Sequence, residues 1–98
     1  MKSGFYSDYL TSDNNDLYVD LGEHIAFYRK RAHLTQKELA KRSGISRPYL
    51  CQIEHFHNNQ PFSMEVLFNI SRALDVPPNL FFAPLPLSDQ TELEQMSS

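Results

Sequence analysis

The chain is 98 residues long, which bounds it to one domain, and a hydrophobic fraction of 41% with five Tyr and seven Phe is enough for a single packed core. No apolar run approaches the roughly 20 residues of a membrane span, the opening M-K-S-G-F-Y-S-D lacks the apolar block of a secretory signal, and the lone Cys51 excludes an intrachain disulfide and a thiolate metal cage. The formal net charge of −3 argues against a nucleic-acid partner until it is divided along the chain.

Residues 1–23 set Lys2 against Asp8, Asp13, Asp16, Asp20 and Glu23, a net −4. Residues 24–60 set Arg29, Lys30, Arg31, Lys37, Lys41, Arg42 and Arg47 against Glu38 and Glu54, a net +5, and hold all four histidines. Residues 61–98 set Arg72 against Glu65, Asp75, Asp89, Glu92 and Glu94, again −4. Such segregation fits one polyanion-facing surface between two acidic ends, although a basic helical face that is merely solvated has the same pattern. A soluble, cytoplasmic protein is expected.

Residues 1–16 scatter Phe5, Tyr6 and Tyr9 among polar residues and a turn-forming S-D-N-N-D cluster, and read as a flexible N-terminal arm. Asp20 and Glu23 have the spacing of a capping box, which sets the start of a first helix at Asp20 or one turn earlier. Leu21, Ile25, Tyr28 and Ala32 form its apolar stripe, with Arg29, Lys30 and Arg31 near the end where cations suit the helix dipole. Thr35 and Glu38 make the box that opens a second helix, and Gly44 ends it. Two residues on, Ser46 caps a third helix whose Leu50 and Ile53 share the buried side.

The polar stretch H-F-H-N-N-Q-P-F leads to Ser63, the cap of a fourth helix that turns Val66, Leu67, Ile70, Ala73 and Leu74 inward. Pro77 and Pro78 stop it and open a short fifth helix carrying Leu80, Phe81 and Phe82. Residues 84–98 are a Pro-containing connector and an acidic tail, of which 88–96 is long enough only for a marginal helix. With no repeat and no strand-like alternation longer than four residues, the expectation is an all-α protein: arm 1–16, a compact five-helix domain 17–83, and tail 84–98.

The second and third helices carry the functional signal. In Q-K-E-L-A-K-R-S-G-I-S-R-P-Y-L-C-Q-I-E-H, small Ala40 stands where the two helices touch, Gly44 lies in the turn, and Leu50 and Ile53 anchor the second helix of the pair. This spacing is that of a helix-turn-helix; a helical hairpin with no DNA function is the plainer alternative. At about 100° per residue, Pro48, Cys51, Gln52 and His55 lie opposite Leu50 and Ile53, flanked by Arg47 and Tyr49.

Together with L-G-E-H-I-A-F-Y-R-K-R-A, L-T-Q-K-E-L-A-K-R-S-G-I-S, the Ile53–Glu54 pair and I-S-R-A-L-D-V, this segment resembles the XRE, or Cro/phage-repressor, family of regulators over residues 21–82. The resemblance implies a lambda-repressor-like domain of five helices whose third enters the DNA major groove. Arg47 is then placed to read guanine O6 and N7, Gln52 adenine N6 and N7, and Pro48, with no donor, a thymine methyl. Gln36 matches a phosphate-contacting position at a helix N-terminus. Lys37 and Arg42 add phosphate contacts, while Lys41 reads better as a solvated residue. Tyr49 either donates to a phosphate or packs half-buried. Arg29 and Glu54 match a structural pair joining the first helix to the end of the third.

After Glu54 the chain departs from the family, with Phe56 where a Gly is usual, a longer loop, and His55, His57, Asn58, Asn59 and Gln60 in place of Lys and Arg. His57 is the phosphate-contact candidate here, and binding that strengthens as pH falls is the expectation. His55-x-His57 is too sparse for a metal site, and Cys51 reads as a surface residue with no resolving partner. No Gly-rich phosphate loop, nucleophile elbow or paired-carboxylate site is present, so neither an enzyme nor a cofactor is expected.

A single recognition helix reads few base pairs, so a homodimer on a two-fold operator is expected, with Val76, Leu80, Phe81 and Phe82 at the interface and the arm or tail available to it or to a second protein. The reading is a transcriptional regulator, repressor or autoregulator; a protein-interaction module such as an antitoxin or anti-repressor is the alternative.

Overall fold

The computed structural model describes residues 13–55 and 61–86, so Phe5, Tyr6, Tyr9, His57 and the acidic tail beyond Pro86 lie outside the described residues. Those described form four α-helices, α1 (Asn14–Arg31), α2 (Gln36–Ser43), α3 (Arg47–Glu54) and α4 (Met64–Leu74), followed by a 3-10 helix, Pro78–Phe82. The expected fifth helix is therefore the tighter 3-10 form, whose steep rise suits a five-residue segment opened by proline. No strand occurs among the described residues, and no helix there is long and apolar enough to cross a membrane.

Local chemistry sets most boundaries. The Thr35–Glu38 capping box is complete: Glu38 N–H donates to Thr35 Oγ1 at 3.0 Å, and Thr35 N–H donates to Glu38 Oε1 at 2.8 Å. Gly44 ends α2 in the left-handed region, φ 74°, and Ser46 and Ser63 accept from the Tyr49 and Val66 N–H groups at 3.2 Å each. The start of α1 is the exception. Asp13 caps it, accepting from Asp16 N–H at 2.9 Å, so residues 14–16 belong to the helix and Asp20 sits within it. The added turn is held from afar, because Tyr18 packs edge-on against Phe62 with centroids 5.3 Å apart.

The core joins Ile25 and Tyr28 of α1, Leu39 and Ala40 of α2, Leu50 and Ile53 of α3, and Leu67, Ile70 and Leu74 of α4 to Phe62 and Phe81. Packing runs α1 on α3, α2 on both α3 and α4, and the 3-10 helix on α1 and α4. Phe81 was expected at a dimer interface but is 0% exposed, its ring edge-on to Tyr28 at 5.6 Å, and it is a core residue. His24, also buried, spans the gap from α1 to the chain beyond the 3-10 helix, with Nε2 2.5 Å from the Ala83 carbonyl oxygen and Nδ1 2.8 Å from that of Asp20.

Two contacts set the tilt of α3 against α1. At Gly22 the helices approach so closely that a Cβ would lie 2.1 Å from the Ile53 carbonyl oxygen. Beside it, Arg29 Nε and Nη2 donate to Glu54 Oε2 and Oε1 at 2.8 and 3.0 Å, while Nη1 donates to the Leu34 carbonyl at 2.8 Å. The paired side chains are only 11% and 5% exposed. Gln36 Nε2 adds a 3.0 Å bond to Glu54 Oε1 and brings the start of α2 into the same network.

Alanine at an interior helical position is intrinsically favoured over glycine by about 1 kcal/mol, but at Gly22 its methyl group meets a backbone carbonyl that cannot swing away. Overpacking of about 1–3 kcal/mol or more wins, and Gly22→Ala is expected to lower the urea midpoint. Glu54→Ala strands the Arg29 charge in a nearly dry site and is expected to cost about 3–5 kcal/mol in the same assay; an unchanged midpoint refutes the structural role of the pair.

Candidate nucleic-acid interface

Burying Leu50 and Ile53 turns the opposite side of α3 to solvent. Arg47, Pro48, Cys51 and Gln52 are all exposed, and Tyr49 is half-buried against the core. Pro48 lies in the first turn of α3, where its missing N–H breaks no helical bond. The short link between Gly44 and Ser46, with Ile45 N–H donating to the Ala40 carbonyl at 3.0 Å, holds α3 across α2. Ala40, as expected, is buried between the helices.

Around this face the charges are sorted. Among the carboxylates of α2 and α3, Glu54 is held by Arg29 and Gln36, and Glu38 is held by its own capping box. The Thr35 backbone N–H, followed by the Thr35 hydroxyl and, more weakly, Arg42, keeps the Glu38 carboxyl below the usual carboxylate range. Lys30, Lys37, Lys41, Arg42 and Arg47 remain exposed, so the outer charge of this half of the molecule is positive. A depression of about 270 Å³ at the meeting of α1, α2 and α3 is lined by Ala26, Arg29, Lys30, Gln36, Cys51, Glu54 and His55. It opens beside the first turn of α2, whose backbone N–H groups have no partners within the helix. Among the described residues no group of three His, Cys, Asp or Glu could hold a metal ion.

Sequence reasoning placed Gln36 at a phosphate; the structure places one amide N–H on Glu54, a role the spacing of 18 residues gives no hint of. It also placed Val76 and Leu80 at an interface, and both are half-buried against the core. Of that group only Phe82 stands well out, at 44% exposed. Met64 and Phe68, 51% and 40% exposed, escaped notice. Their signal is present, because the inward stripe Leu67, Ile70 and Leu74 leaves these two residues, four apart, on another face of α4. Leu17, Tyr18, Leu21, Phe62, Met64 and Phe82 are among the residues around an apolar groove of about 430 Å³ next to it.

Known proteins place this arrangement. The sequence profile of the Helix-turn-helix family matches residues 25–81, more than half of the chain. Two uncharacterised HTH-type transcriptional regulators of Mycobacterium tuberculosis, from strains CDC 1551 / Oshkosh and ATCC 25618 / H37Rv, are 33% identical over 75 residues. The match takes in 76% of this chain and 52% of each relative, so the chain spans about half the length of these curated relatives. Among solved structures, the restriction-modification controller protein C.AhdI from Aeromonas hydrophila superposes with a TM-score of 0.61 at 26% identity, covering 65% of this chain and 94% of that one. The N-terminal DNA binding domain of SinR from Bacillus subtilis gives 0.59 at 31%, covering 66% and 93%. The curated relatives are named as transcriptional regulators, C.AhdI as a controller protein and the SinR segment as a DNA binding domain, and this chain shares the fold of the last two. Capped α2 and α3, crossed through Ala40 and Gly44 and matched in sequence as well as in shape, make this chain a member of the helix-turn-helix family of the XRE, or Cro/phage-repressor, type.

Proposed function

We propose that the chain is a sequence-specific, double-stranded-DNA-binding transcriptional regulator of the cytoplasm that acts as a homodimer on a two-fold operator. The observation that carries this reading is the outer face of α3, where Arg47, Pro48 and Gln52 stand exposed while both nearby carboxylates are already engaged. An α-helix fits the major groove, and these three side chains match its edge chemistry: Arg47 to guanine, Gln52 to adenine, Pro48 to a thymine methyl. Lys37, Arg42, Tyr49 and the free N–H of Gln36, with the first turn of α2, contact phosphates and fix the register; His57 joins them.

One eight-residue helix covers too few base pairs for a unique site, so two copies bind half-sites about 34 Å apart. Phe82, with Val76 and Leu80 beside it, is the dimer contact. Binding at its own promoter would repress by excluding polymerase. A metal or cofactor plays no part in this reading.

The test is selection of binding sites from a random duplex library, followed by footprinting; two-fold protected sites are expected. Arg47→Ala should lower affinity for the selected site by about 10- to 100-fold, the loss of one bidentate base contact, with the melting temperature unchanged. An intact footprint for Arg47→Ala ends the proposed base contact. Lys37→Ala should weaken all sequences alike and reduce the slope of log affinity against log salt by about 1. An unchanged slope removes Lys37 from the phosphate contacts.

A further inference from the structure

On another side of α2 lies a further concavity, about 470 Å³ in volume, between the C-terminal halves of α2 and α4. It is lined by Lys41, Arg42, Ser43, Gly44, Asn69, Arg72 and Ala73: three cations and no carboxylate. From this lining we infer that the concavity binds a phosphate oxyanion, independently of base reading by α3.

Two observations separate it from a merely solvated basic surface. Ser43 lines it, yet is 3% exposed, and its hydroxyl has no hydrogen-bond partner. Buried hydroxyls are nearly always satisfied, and one that is not calls for a reason. A hydroxyl has a donor proton to give, and an oxyanion entering between the cations accepts it. The second observation is order. Arg72 Nη2 donates to Asn69 Oδ1, which steadies the guanidinium and leaves other N–H groups of its fork, as well as the Asn69 amide, for a ligand.

The helix dipoles oppose this site. The last turns of α2 and α4 present partial negative charge, and Lys41, Arg42 and Arg72 all offset it. Dipole compensation accounts for cations at helix ends but leaves the Ser43 hydroxyl without a partner. The terminal carbonyls are also partly capped, by the N–H groups of Gly44 and Asp75. The nearby carboxylates are Glu38, held in its capping box and drawing on Arg42, and Asp75, which lines the adjoining depression together with Arg72, Ser71, Val76 and Pro77. Both carboxylates lie at the margins, whereas Lys41, Arg42 and Arg72 line the concavity itself beside the unpartnered Ser43 hydroxyl, and this local arrangement favours a multiply charged oxyanion.

A small phosphorylated ligand and the DNA backbone share this chemistry. The probe is inorganic phosphate added to the ¹⁵N-labelled full chain, against sodium chloride at equal ionic strength. Saturable shifts centred on Ser43, Gly44 and Arg72 are expected with phosphate and absent with chloride. Arg72→Gln should weaken binding about tenfold and Ser43→Ala about fivefold. Ser43→Ala should melt no lower than the parent, since it removes an unsatisfied group. Equal shifts with chloride, no shifts at these residues, or full affinity in both variants overturns the inference. With phosphate binding established, duplex DNA identifies the source: lost affinity in Arg72→Gln points to the backbone, and unchanged affinity to a small phosphorylated ligand.

Discussion

The Glu54 carboxylate is the point through which three helices are fixed to one another. It sits at the end of α3, accepts from Arg29 of α1 in a forked geometry and from Gln36 at the start of α2, and is nearly dry. Taking two charges out of water is costly, and an apolar replacement of equal volume often stabilises a fold as well or better. Directionality is what the charged network adds. Three donors converge on two oxygens, so a small slide of α3 along α1 breaks all of them at once. The Gly22 approach imposes the same restriction sterically, about two turns of α1 from Arg29.

That restriction is what the proposed base reading by α3 needs. Base-edge contacts discriminate only when a side chain arrives at a set depth and angle, and α3, eight residues long, has no stability of its own to provide them. The same network also improves the electrostatics. By pairing Glu54 with Arg29 it neutralises one carboxylate beside the positive face, and the capping box ties the Glu38 carboxylate back to Thr35 at the start of α2. A chain with a net charge of −3 thus presents a cationic surface where it is needed.

Helix starts and stops were legible where one residue determines them. Thr35, Gly44, Ser46 and Ser63 do in the structure what their types imply, because capping is a contact made within four residues. The start of α1 was misplaced because the Asp20–Glu23 spacing also occurs inside a helix, and the actual start leans on Tyr18 meeting Phe62, 44 residues away. Phe81 was misread for a related reason. In a run of three apolar residues without α-helical phase, nothing local says which one turns inward, and the choice belongs to Tyr28. Gly22 gave no signal at all, since a glycine within an amphipathic stretch marks close approach only once the partner backbone is known. The exposed face of α3 was legible from its period alone; the bond of Gln36 to Glu54 was not.

What distinguishes the reading surface from the other charged surfaces is where its order comes from. The side chains of Lys37 and Lys41 project from α2 into water, and their charges act at a distance whatever rotamer they adopt. The base contacts proposed for Arg47, Pro48 and Gln52 instead require these side chains to be held in register. Their helix is fixed by Leu50 and Ile53 in the core, by Ser46 at its start and by Glu54 at its end. Each of these anchors is within a few residues of Arg47 or Gln52, and all but the exposed Ser46 cap are turned away from solvent. With base reading at Arg47, Pro48 and Gln52 as proposed, sequence preference can therefore change at these positions while the core stays as it is. Loosening an anchor degrades recognition of every sequence together, because it is the shared frame that moves.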